Sequence, residues 1–186
     1  GIQIVRLDTT MHVAKESGVR SQESGVRSQE SVGPRTIARR YNLNNKDAKT
    51  ALPINPNPPK NPTSDFAGPN AIEAPFIFKH DGWYYLFVSW DYCCQGSKSN
   101  YRVAVGRSKT VDGPYLDSKG IDMRYGGGNL FLEGDKKEYE AAGHCAAYTF
   151  EGQDIFICHG YSVAQNGASV LVQRPIRWTS DGWPTL

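Results

Sequence analysis

The sequence predicts an all-β module over residues 67–186, and three observations carry that prediction. Nineteen aromatics lie in this stretch, against two, Tyr41 and Phe66, in residues 1–66. Runs of aromatic and β-branched residues recur at short spacing, and turn dipeptides separate them. No segment shows a helical period of useful length. Short strands so spaced build a sandwich, a barrel or a propeller.

Taken in order, Ile2, Ile4 and Leu7 suggest one strand at residues 1–8. Residues 9–69 read as a polar loop or linker. Within it Glu16–Gln22 recurs unchanged as Glu23–Gln29, and each unit has a single Val beside a Gly, so no coiled-coil seam can form. Leu52–Asn70 carries six prolines, which remove backbone donors and favour extended linker backbone.

From Ala71 the pattern changes. Pro75–Lys79 and Trp83–Trp90 are strands around His80-Asp81-Gly82, followed by Tyr101–Arg107 and, after a glycine triplet, Asn129–Leu132. A second hairpin, Ala146–Phe150 with Asp154–His159, turns at Glu151-Gly152, and Ser169–Gln173 and Ile176–Trp178 follow. The two groups, residues 70–132 and 133–186, each read as one four-stranded sheet, which favours a propeller.

Composition narrows the function. A net charge of +2 with no clustered basic face argues against nucleic acid. No apolar stretch approaches the ~18 residues that span a bilayer, and no secretory h-region opens the chain.

The four cysteines lack metal-site spacing. With a two-residue turn at Glu151-Gly152, Cys145 and Cys158 face each other at a close, non-hydrogen-bonded pair. A cross-strand disulfide and two packed thiols are both open readings. Cys93 and Cys94 are adjacent, and either a vicinal disulfide or a pair of buried thiols fits. An even count without metal spacing leans toward an oxidising, extracellular setting.

Glu73 stands just before a proline and an apolar strand. Apolar crowding there would favour its neutral form, as a general acid requires. The plain alternative is a solvated turn carboxylate. His144 alone reads as a structural hydrogen-bonder, and Trp90 and Tyr92 as core or rim aromatics.

IEAPFIFKHDGWYYLFVSWDYCCQG, YRVAVGRSKTVDGPY, GGGNLFLEGD, AAGHCAAY and RWTSDGWP, in that order, resemble family 43 glycoside hydrolases, and among them fungal endo-1,5-α-L-arabinanases. The resemblance implies a five-bladed β-propeller, of which this chain would supply about two blades plus a strand. It implies inverting hydrolysis of arabinan or other arabinose-containing cell-wall polysaccharide by a secreted protein, with a carboxylic acid protonating the leaving oxygen and a base activating water.

By the same resemblance Glu73 is the general acid, and Trp90, Tyr92 and Cys94 lie by the substrate cleft. His144 matches the histidine beside a calcium or sodium ion at the propeller centre, although Ala141-Ala142 replace the usual Gly-Pro. The motifs of the base and of the acid-tuning aspartate do not occur, and Asp8 lies beyond their position. A blade cannot cover its faces alone, so the expectation is an incomplete propeller, weakly active by itself. Missing blades or a second copy would then be its partners. A non-catalytic carbohydrate-binding or interaction module is the rival.

Overall fold

The computed structural model describes residues 1–7, 33–40 and 71–186. The heptad duplication, the proline-rich stretch and Asp8 lie outside the described residues. Among the described residues eleven strands run in chain order: β1 (Ile2–Ile4), β2 (Arg35–Ala38), β3 (Ile72–His80), β4 (Trp83–Trp90), β5 (Arg102–Ser108), β6 (Asn129–Leu132), β7 (Tyr139–Phe150), β8 (Gln153–Ser162), β9 (Ala168–Pro175), β10 (Arg177–Trp178) and β11 (Pro184–Thr185). The only helical pieces among the described residues are two 3₁₀ turns, Gly96–Lys98 and Met123–Tyr125.

Strands β3-β4-β5-β6 form one antiparallel sheet, and β7-β8-β9 a second of three strands. The second sheet was expected to have four. Instead β10 pairs with β11 as a separate ladder. The Asp181-Gly182 bend folds this end back over the first sheet. There the Tyr85 hydroxyl donates to the Gly182 carbonyl at 2.6 Å, and the Arg107 guanidinium lies 4.4 Å from the Trp83 and Trp183 rings. Strand β2 falls inside the stretch read as linker, where it pairs with β1.

Turn chemistry sets the register. Glu151 (φ 49°) and Gly152 (φ 78°) both take positive φ, as a two-residue hairpin turn matching strand twist requires. Phe150 then faces Gln153 and Ala147 faces Phe156.

Alternation along β4 explains why nearly all of WYYLFVSW is buried. Tyr85 and Phe87 face the second sheet, joining Val103, Val105, Phe156 and Val172 in one core. Leu86, Val88 and Trp90 face the opposite way, packing with Ile2, Ile37, Tyr115 and Met123. A central strand covered on both faces reads as a continuous apolar run. Between the sheets Phe87, Phe131 and Phe156 meet with ring centroids 4.9–5.9 Å apart. At the sheet ends Asp154 Oδ2 accepts from Trp178 Nε1 at 2.9 Å and lies 2.7 Å from His80 Nδ1, clasping the two sheets.

Candidate active site

The candidate site is built on the two first strands, β3 and β7, and each carries the same device. In β3 the register slips by one between Glu73, opposite Ser89, and Phe76, opposite Phe87. Ala74 sits in that bulge at φ 48°. Pro75 needs no ladder partner, so the bulge tolerates it. In β7 the register slips between Gly143 and Ala146, with His144 at φ 53°. Bulges re-aim side chains beside functional sites, and positive φ in a non-glycine residue is strain held by its surroundings.

Ser89 joins the two strands. It is the ladder neighbour of Glu73, it is fully buried, and its Oγ accepts the His144 N–H at 2.8 Å. The Tyr101 hydroxyl donates to Glu73 Oε1 at 2.5 Å. Burial first, then the Glu73 carboxylate, pushes the Tyr101 phenol well above its ordinary value, so it stays a donor. Among the described residues, Glu73 Oε2 receives no hydrogen bond and is the oxygen open to a ligand.

Glu73 itself is exposed. The apolar enclosure expected from its sequence neighbours is not built by the described residues. Across the bulge Glu73 keeps the face of Phe76 and Phe78, opposite Ser89, but it stands at the strand's start, beyond the core that buries Phe78. Its chain neighbours Ala74, Pro75 and Phe76, though not Glu73 itself, line a cavity of about 340 Å³ together with His144, His159 and Leu171, among others. The His144 and His159 rings stack 5.8 Å apart on its wall.

The other sequence-predicted residues divide. Trp90 belongs to the core, 8% exposed, with Arg40 stacked 4.1 Å over its ring, and not to a sugar-facing rim. Its place on β4 puts it on the face opposite the second sheet. Tyr92 and Cys94 are on the loop after β4, either side of Cys93. Tyr92 donates its N–H to Asn100 Oδ1 at 3.0 Å, and Cys93 Sγ lies 3.8 Å from Glu73 Oε1.

All four cysteines are free thiols. The β7 bulge interrupts the register that would set Cys145 squarely opposite Cys158, although both are buried in one core. Burial holds both thiols protonated, that of Cys158 pushed up to about 12.

Among the described residues no three His, Cys, Asp or Glu side chains converge on one point. Calcium takes six to eight oxygen ligands, and beside His144 the described residues bring only a second imidazole, His159, so by themselves they do not fit as a cage for calcium or sodium.

Sequence reasoning missed Tyr101, Ser89 and Gly143. A Cβ on Gly143 would lie 2.2 Å from Tyr101 Cδ1, so only glycine lets the ring that holds Glu73 occupy its place. Nothing local marks Tyr101, since β4 intervenes before the chain returns to Glu73.

Against known proteins, the model of the family described as "Glycosyl hydrolases family 43" matches residues 35–184. An extracellular exo-α-(1→5)-L-arabinofuranosidase of Cellvibrio japonicus is 46% identical over 120 residues, covering 64% of this chain and 34% of that protein. An extracellular endo-α-(1→5)-L-arabinanase of Bacillus subtilis is 39% identical over 120 residues, covering 62% and 34%. Among solved structures, an exo-1,5-α-L-arabinanase from a bovine ruminal metagenomic library superposes with a TM-score of 0.73 at 44% identity, covering 98% of this chain and 48% of that one. The chain thus spans about a third of the length of the curated relatives and about half that of the solved structure.

Proposed function

Because this chain belongs to glycosyl hydrolase family 43, an all-β chain covering part of a five-bladed β-propeller, we propose that it serves inverting hydrolysis of arabinan, with Glu73 as the proton donor. The observation that carries this reading is the Glu73–Tyr101 hydrogen bond at the β3 bulge, beside an open cavity. The relatives' printed activities on arabinan support the substrate class, and their description as extracellular supports secretion.

In this reading Glu73 gives its proton from Oε2 to the departing glycosidic oxygen. Negative charge develops on the carboxylate as the proton leaves. The Tyr101 hydroxyl, already on Oε1, stabilises that charge and fixes which oxygen carries the proton. Hydrogen bonds to charged groups are worth ~1.5–3 kcal/mol. Water attacks the anomeric carbon from the opposite face, activated by a second carboxylate, roughly 6.5–9.5 Å from the first in inverting enzymes.

We assign no base within this chain. A missing general base costs ~10²–10⁴-fold, so slow turnover by this chain is the expectation. No step passes through a metal ion.

The exposure of Glu73 favours a second reading, a carbohydrate-binding module that no longer cleaves. Incubation with linear arabinan and chromatography of the products separates the two. The hydrolase reading expects slow release of arabino-oligosaccharides by the wild type, none by Glu73→Gln, and oligosaccharide binding by both. Equal release by both proteins would remove Glu73 from the chemistry. Binding without release by either would establish the module.

A further inference from the structure

We propose that Cys93 and Cys94 are a thiol–disulfide site on the shoulder of Glu73, closed by exchange with a small-molecule disulfide such as oxidised glutathione. The two Sγ atoms already lie 2.8 Å apart. Cys94 is exposed and takes φ 64°, a conformation that a non-glycine residue adopts only when its surroundings impose it.

Those surroundings are on both sides of the pair. The Cys94 N–H donates to the hydroxyl of buried Tyr161 at 2.9 Å, and that hydroxyl lies 4.0 Å from Cys94 Sγ. Asn100 Oδ1 accepts the Tyr92 N–H before the pair, and Ser99 Oγ accepts the Gln95 N–H at 3.1 Å after it. The sulfurs are therefore held together by the fold before any bond forms.

Global stability does not explain such a pair. A disulfide stabilises by closing a loop in the unfolded chain, and the gain grows with loop length. Between neighbours that gain is minimal, so closure acts locally. The local neighbour is Glu73, whose Oε1 lies 3.8 Å from Cys93 Sγ. Bridging removes the Cys93 S–H from the carboxylate and leaves Tyr101 as its donor.

The exposed sulfur begins the exchange. The Cys94 thiolate attacks one sulfur of oxidised glutathione and expels one glutathione thiolate, leaving a mixed disulfide. The Cys93 thiolate then attacks Cys94 Sγ and expels the second. Two electrons and the two cysteine protons pass to two glutathione molecules. Burial, the Cys94 thiol and Glu73 together raise the Cys93 thiol to about 12, so Cys94 attacks first and the closing attack by the Cys93 thiolate is the slower step. The site is defined by its sulfur chemistry and stands whether or not Glu73 protonates a sugar.

The test is mass mapping of the folded wild-type protein after treatment with oxidised glutathione, iodoacetamide capping and trypsin. Cleavage after Lys79 and Lys98 isolates residues 80–98, which hold this pair apart from Cys145 and Cys158. The expected result is a peptide lighter by two hydrogens, uncapped, carrying no glutathione and restored by dithiothreitol. Cys93→Ser should instead keep glutathione on Cys94. Wild-type peptide that stays cappable at both sulfurs, that retains glutathione, or that is bridged to Cys145 or Cys158 overturns the proposal.

Discussion

Tyr101 and Glu73, 28 residues apart in sequence, meet through a 2.5 Å hydrogen bond from phenol to carboxylate Oε1. The contact exists because β3 and β4 carry the chain out and back to the loop that ends at Tyr101, and because Gly143 leaves room for the ring. In the proposed chemistry this makes Tyr101 a positioning residue. Tyr101→Phe should lower arabinan turnover about ten- to a hundredfold, the rate equivalent of a ~1.5–3 kcal/mol charged hydrogen bond. Steady-state kinetics should place the loss in kcat rather than KM, with the urea midpoint little changed. A loss confined to KM would count against positioning.

Gly143→Ala tests the same relationship from the other side. The new methyl would lie 2.2 Å from Tyr101 Cδ1 and 2.4 Å from Cε1, so the ring must move. Overpacking of this kind costs ~1–3 kcal/mol. Urea denaturation should show that loss, and addition of Tyr101→Phe should not rescue it, because the clash is with the ring and not the hydroxyl. Unchanged stability would mean that the ring has space to yield.

Asp91 anchors the first sheet. It is buried, at φ 67°, and its two carboxylate oxygens take Arg40 Nε at 3.1 Å and Arg102 Nε at 2.7 Å. Removing one partner of a buried pair leaves uncompensated charge and costs ~3–5 kcal/mol. Asp91→Ala is expected to destabilise by that order in equilibrium unfolding, and a loss below ~1 kcal/mol would be that of a surface pair.

Asp112 gives the pH dependence. The Arg35 guanidinium from β2 holds its carboxyl below the usual range. With the folded value depressed, the stabilisation is present above the unfolded pKa of about 3.9 and is lost as pH falls through the folded value. The pair is partly exposed, so the effect is small, ~0.2–1 kcal/mol. Asp112→Asn should unfold at lower urea than the wild type at neutral pH, and the gap should narrow as pH falls below the unfolded value of about 3.9. A gap that widens in acid would reverse the sign.

Much of the fold was legible because local chemistry and packing agree. Trp83–Trp90 and Asn129–Leu132 are strands with the bounds read from sequence, and Glu151-Gly152 is the two-residue turn. The first half of β7 was missed because Tyr139–Cys145 is rich in Ala and Gly. Those small residues serve close packing, as Gly143 against Tyr101 shows. Strand β2 was hidden by its polar setting, since its partner β1 lies some thirty residues earlier. As candidates, Glu73 and His144 were singled out only through motif. Trp90 was misplaced because sequence does not say which face of a fully buried strand a ring takes. The apolar shelter expected for Glu73 failed because it stands at the start of β3, beyond the core that buries Phe78 on the same face of the sheet.

The most direct test is a crystal structure of the Glu73→Gln variant with a linear arabino-oligosaccharide. The expected complex places a glycosidic oxygen within ~2.6–3.2 Å of the residue 73 amide nitrogen, with the Tyr101 hydroxyl donating to the amide oxygen. An oligosaccharide seated elsewhere on the blades, with residue 73 free in solvent, would contradict the assignment of Glu73 as the proton donor.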